Sequence, residues 1–125
     1  MSSKILIVED NDFVRMQIKS FLEGAGYNCE EAAQGDIALD IIDDSFDAAV
    51  VDVRMEPIDG LGFVKALRAR ELNTPVVLVT GDQSPDLLSE SGKLGVSGVL
   101  IKPVEKDRLI KMVERLIAMR KRRPS

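Results

Sequence analysis

The sequence predicts an α/β domain: a single doubly wound, five-stranded parallel sheet, strand order 2-1-3-4-5, with helices on both faces. Three observations carry the doubly wound parallel sheet, and the strand order is one of the two common to such sheets. Short apolar runs without polar alternation recur along the chain and end abruptly on polar residues, the pattern of strands buried on both faces. A stretch with helical apolar spacing follows each run, and strict strand-helix alternation favours parallel strands joined by right-handed crossovers. At 125 residues the chain suits one domain, long enough to bury about two-thirds of its unfolded surface.

The first strand runs from Lys4 to Val8 and ends on Glu9-Asp10. Asn11 or Asp12 can cap a helix over about Phe13 to Glu23, with Val14, Ile18, Phe21 and Leu22 on one face and Gly24 and Gly26 stopping it. Asn28 to Ala33 is a weaker strand whose Cys29 and two glutamates suit a sheet edge. Ile37 to Asp43 is a short helix with Ile37, Ala38, Ile41 and Ile42 facing inward. Ala48-Ala49-Val50-Val51 then runs into Asp52.

Turn and cap residues fill the loop from Val53 to Gly60, and Leu61 to Arg70 is amphipathic through Leu61, Val64 and Leu67. Val76 to Val79 is another doubly buried strand, ending on Thr80-Gly81-Asp82. Ser84-Pro85 opens a helix over about Asp86 to Leu94, whose serines and Gly92 make it the weakest and most mobile of the set. Val99-Leu100-Ile101 ends on Lys102-Pro103. The last helix, about Lys106 to Lys121, aligns Leu109, Met112, Val113, Leu116 and Ile117.

Composition excludes several classes. The absence of histidine removes the commonest metal ligand and general base. A lone cysteine, Cys29, cannot form an internal disulfide, which suits a reducing cytoplasm. No run reaches membrane-spanning length, and the first is too short for a signal peptide, so no membrane partner is expected. A net charge of -4 argues against direct nucleic-acid binding by the domain. All 21 acids precede Arg120, whereas four of the 17 basic residues occupy Arg120 to Arg123. Residues 1–119 therefore read as the domain and 120–125 as a basic tail, either a solvated helix end or the start of a linker.

In the order 2-1-3-4-5, the first and third strands adjoin at the switch point. Glu9, Asp10 and Asp52 then converge on one crevice, with Thr80 and Lys102 on its far side. Singly, these residues have plainer readings: Glu9-Asp10 as a strand end or helix cap, Thr80 as a turn residue, Lys102 as surface charge. Convergence on Asp52 reverses those odds. Three crowded carboxylates repel one another unless a cation compensates. An all-oxygen set favours a hard divalent ion, Mg²⁺ with Mn²⁺ as the alternative. Lys102, the Thr80 hydroxyl and backbone N–H groups near Arg54 or Gly81 complete a socket for a phosphoryl group, with the Asp52 carboxylate as nucleophile and an acyl phosphate as product.

Four segments match a known pattern, in order and at normal spacing: Ile5-Leu6-Ile7-Val8-Glu9-Asp10-Asn11, Val51-Asp52-Val53-Arg54-Met55 with Asp59-Gly60, Leu78-Val79-Thr80-Gly81, and Ile101-Lys102-Pro103. Over about Lys4 to Met119 the chain resembles the receiver domains of two-component response regulators. The resemblance implies a flavodoxin-like (βα)5 fold. By it, Asp52 accepts phosphate from a histidine kinase or histidine phosphotransfer protein. Glu9 and Asp10 hold Mg²⁺ together with Asp52 and the backbone carbonyl of Arg54. Thr80 follows the phosphate and Lys102 binds it, beside a Lys102-Pro103 bond that is typically cis. Phosphorylation then switches the face made by the fourth helix, fifth strand and fifth helix for an output domain or partner protein. Such a domain is not a turnover enzyme, although it can release its own phosphate.

The chain departs from that pattern in three places. Glu56 intervenes between Met55 and Pro57, where proline usually follows the methionine directly. Val99 occupies a slot that is commonly Tyr or Phe, so no aromatic ring can swing inward with Thr80, and backbone movement and the fourth helix must carry the signal. Arg54 and Asp82, two residues beyond Asp52 and Thr80, are placed to pair across the pocket mouth and slow water's approach. Two other classes compete. A phosphatase of the haloacid dehalogenase type needs a second Asp where this chain has Arg54, and an unphosphorylated pseudo-receiver typically loses a key residue, whereas none is lost here. The expected state is a monomer or weak homodimer, with Ile110 on the exposed face of the last helix as a candidate contact. The chain reads either as a free-standing receiver or as the front of a longer protein.

Overall fold

The computed structural model describes residues 3–81 and 84–122. Strands and helices alternate throughout: β1 (Lys4–Val8), α1 (Asp12–Gly24), β2 (Asn28–Ala32), α2 (Gly35–Ile41), β3 (Ala48–Asp52), α3 (Gly60–Ala69), β4 (Val76–Thr80), α4 (Pro85–Lys93), β5 (Gly98–Ile101) and α5 (Lys106–Arg122). The strands form one sheet in the order β2-β1-β3-β4-β5, and every pairing is parallel. This is the predicted fold.

The unbroken apolar runs have a simple geometric cause. Successive strand side chains point to opposite faces, and here both faces are covered. Leu6, Val8, Ala49, Val51, Val76 and Leu78 enter one core with Ala38, Phe63, Val64 and Leu67 from α2 and α3. Ile5, Ile7, Ala48, Val50, Val77 and Val79 enter the other with Ile18 and Leu22 of α1 and Leu109, Val113, Leu116 and Ile117 of α5. The edge strand β2 alternates exposed and half-buried residues and ends at Ala32, one residue earlier than its composition suggested.

Local chemistry sets the helix starts. The Asn11 side chain accepts from the Val14 N–H at 3.0 Å and caps α1, and Asp59 accepts from Gly62 at 2.7 Å to cap α3. The helix α2 differs from expectation, beginning at Gly35 and releasing Ile42 into an extended conformation. Gly35 sits so close to the Ile58 carbonyl that a Cβ would come within 2.9 Å. That approach puts Gly35 and Ala38 on the inner side of the helix, so Ile37, expected to face inward, is 43% exposed instead.

Within the fourth helix Leu87 and Ser91 alone are buried, and the Ser91 hydroxyl donates to the Leu87 carbonyl at 2.7 Å. The stripe on α5 packs as predicted, while Ile110 is half-buried rather than fully exposed. Arg120, the first residue of the basic run, belongs to α5, where it donates to the Phe46 carbonyl and lies 3.5 Å from Asp44. Among the described residues, no helix is long and apolar enough to cross a membrane.

Candidate functional site

Strand register assembles the site. Val8 lies opposite Val51, so the next residues, Glu9 and Asp52, emerge side by side at the carboxyl rim of the sheet. Asp52 is level with Val79 and Thr80 with Ile101, which brings Thr80 and Lys102 to the same rim. The Lys102 N–H donates to the Thr80 carbonyl at 2.8 Å. The Lys102–Pro103 bond is cis, and so is Glu56–Pro57 in the loop that carries the inserted glutamate.

A close backbone contact closes the floor. A Cβ on Gly60 would meet the Asp52 carbonyl oxygen at 2.5 Å, so only glycine allows the first turn of α3 to sit against the end of β3. The Gly60 N–H donates to the Val53 carbonyl at 2.9 Å. Met55 turns into the core beside it.

Glu9 and Asp52 are 1% and 4% exposed, Asp10 is exposed, and one oxygen of each lies within 4.8 Å of the others. The Lys102 ammonium sits 3.0 Å from Glu9 Oε1 and 3.3 Å from Asp52 Oδ1. Burial pushes the Glu9 carboxyl up to about 7, with Lys102 and the Asn11 N–H opposing the rise and Asp52 adding to it. Burial alone would lower the Lys102 pKa, but its hydrogen bonds and charge contacts with Glu9 and Asp52 together hold it above the ordinary lysine value. Three carboxylates crowded around a single ammonium leave an excess of negative charge that fits a hard divalent cation.

The remaining expected residues are placed as follows. Thr80 is 1% exposed at the end of β4. Arg54 is exposed at the mouth, where it lines an open depression with Asp10, Glu56 and Asp59. Val99 is half-buried on β5 opposite Leu78 and packs on the α2–α3 side of the sheet. Asp82, the expected partner of Arg54, and the end of the basic run from Arg123 lie outside the described residues.

Arg15 touches the site although the sequence reading did not single it out. Its guanidinium donates to the Glu9 carbonyl at 2.8 Å, Asp12 Oδ1 at 2.6 Å and Glu31 Oε1 at 3.2 Å. Its i,i+3 spacing to Asp12 was readable. The contact with a backbone carbonyl leaves no mark in a sequence.

Comparison with known proteins adds the following. The family model described as the response regulator receiver domain matches residues 5–114. The chain is 36% identical over 121 residues to the chemotaxis protein CheY of Pseudomonas aeruginosa, covering 90% of this chain and 98% of that protein. It is 34% identical over 122 residues to the peroxide stress-activated histidine kinase mak3 of Schizosaccharomyces pombe, covering 90% of this chain but 5% of that kinase. The solved structure of Vibrio cholerae chemotaxis protein CheY4 aligns with a TM-score of 0.82 at 32% identity, over 93% of this chain and 99% of that one.

Proposed function

The chain belongs to the response regulator receiver family, and on that premise we propose that Asp52 is its phosphoacceptor in a His-Asp phosphorelay. Receiver domains are signalling domains, not turnover enzymes, and interact with histidine kinases and output domains. One observation carries the reading: the buried Asp52 carboxylate ends β3 with Lys102 at 3.3 Å and oxygens of Glu9 and Asp10 within 4.8 Å.

In the proposed step, an Asp52 carboxylate oxygen attacks the phosphorus of a phosphohistidine on a histidine kinase or histidine phosphotransfer protein. The P–N bond breaks, its electron pair returns to the imidazole nitrogen, and the new O–P bond makes an acyl phosphate. Mg²⁺, or Mn²⁺ in its place, held by Glu9, Asp10, Asp52 and the Arg54 carbonyl, would neutralise charge on the phosphoryl oxygens. Lys102 binds one of those oxygens and the Thr80 hydroxyl donates to another. Hydrolysis by water at phosphorus restores the Asp52 carboxylate and releases inorganic phosphate.

The face of α4, β5 and α5 is the proposed output surface. Leu88 on α4 is 51% exposed and Ile101 on β5 is 36% exposed, apolar area available to an output domain or partner protein in the cytoplasm. With Val99 on β5, the switch works by repacking α4 rather than by turning a ring.

Acetyl phosphate with Mg²⁺, followed by intact-mass measurement, tests the proposal. Wild type gains about 80 Da, the mass of one phosphoryl group, and Asp52→Asn gains nothing. Rapid consumption of acetyl phosphate without an adduct would indicate a phosphatase. Neither adduct nor consumption would indicate an unphosphorylated interaction module.

A further inference from the structure

Glu9 and Asp10 share a peptide bond, so whatever fixes that peptide also fixes the direction of both acids. The Glu9 N–H is held by the Ala32 carbonyl at 3.1 Å. The Glu9 carbonyl lies beyond the end of β1, and among the described residues no backbone N–H outside helices and strands donates to it; its donor is Arg15 Nη1 at 2.8 Å. The guanidinium is itself held: its side chain is 16% exposed, and it is clamped by Asp12 at 2.6 Å and Glu31 at 3.2 Å. Glu31 is fixed in turn by Lys19 at 2.9 Å. One planar fork therefore ties the end of β1, the first turn of α1 and the edge strand β2 together at the acidic cluster.

We propose that Arg15 is a positioning residue for the divalent-cation site, holding the Glu9–Asp10 peptide so that both acids face Asp52. The inference rests on the phosphoacceptor reading above and deepens it. Its sign separates it from simple electrostatics. Arg15 is a cation near a cation site, so as a point charge it repels the metal, and its removal would tighten binding. As a positioning group it preorganises the ligands, and its removal weakens binding. Outer partners of metal ligands typically change affinity by about tenfold or more.

The experiment is a Mg²⁺ titration of the full chain followed by amide shifts, on wild type, Arg15→Ala, Arg15→Lys and Glu31→Gln. Arg15→Ala is expected to weaken Mg²⁺ binding about tenfold. Arg15→Lys restores only part of this loss, because an ammonium cannot span the Glu9 carbonyl and Glu31 together. Phosphorylation by acetyl phosphate at saturating Mg²⁺ stays within about twofold of wild type, since Arg15 touches no reacting atom. In metal-free protein the Asp10 and Asn11 amides shift and exchange faster in Arg15→Ala. Equal or tighter Mg²⁺ binding by Arg15→Ala overturns the proposal. Should Arg15→Ala not fold, Glu31→Gln, which keeps the carbonyl contact but loosens its anchor, must weaken Mg²⁺ in the same direction, and unchanged affinity overturns the proposal. Failure of wild type to bind Mg²⁺ overturns the phosphoacceptor reading instead, and unchanged Asp10 and Asn11 amides in metal-free Arg15→Ala would then overturn the positioning role as well.

Discussion

Glu9 shows what burial does to a single carboxylate. Its folded pKa of about 7 stands above the ordinary 4.5, so between those values the folded protein holds a proton that the unfolded chain releases. The metal-free protein is therefore expected to lose stability as pH rises from about 4.5 to 7. Urea unfolding in a chelator at several pH values measures that slope, and Glu9→Gln should flatten it. Asp52→Asn should raise the metal-free melting temperature by a few degrees, because it relieves like-charge repulsion while Lys102 keeps Glu9 as a partner at 3.0 Å. A calorimetric scan showing a lower melting temperature would contradict it. At this scale the site was partly legible. Glu9, Asp52, Thr80 and Lys102 stand out because each interrupts an apolar run where a strand meets the rim. Arg15 does not, because its target is a peptide oxygen.

Between elements, two contacts govern how the site is held. A Gly60→Ala methyl would press on the Asp52 carbonyl, which it would meet at 2.5 Å. Urea denaturation should show a loss of about 2 kcal/mol or more. At the opposite end of the sheet, the Arg68 side chain donates to the carbonyls of Leu94 at 2.9 Å, Leu72 at 2.8 Å and Thr74 at 3.1 Å, tying the end of α4 to the loop after α3. Arg68→Met leaves these oxygens without that donor and should cost about 2 kcal/mol, with hydrogen exchange rising first around Leu94 and Gly95. Uniform exchange across the protein would argue against such a local tether. Arg68 lies within the amphipathic stretch from Leu61 to Arg70, and nothing in the sequence pattern singles it out. The displacement of α2 was equally hidden, since the contact of Gly35 with the Ile58 carbonyl depends on a loop distant in sequence.

For the molecule as a whole, strand-helix alternation made the parallel sheet and its two helical layers legible before any side chain was placed, while the strand order came from the pattern common to such sheets. Apolar strands split between two cores and polar residues left at one rim follow from the same order. The route from that rim to an output surface was less legible, because Val99 leaves no ring to follow. Beryllofluoride, which stands in for the phosphoryl group, should shift amides in α4, β5 and α5, and shifts confined to the rim loops would contradict switching of that face. The most direct test is a crystal structure with Mg²⁺ and beryllofluoride. The account predicts beryllium bonded to an Asp52 carboxylate oxygen, fluorines against the Lys102 ammonium and the Thr80 hydroxyl, and the metal on Glu9, Asp10 and Asp52. Beryllofluoride bound elsewhere, or Lys102 turned away from it, would contradict the account.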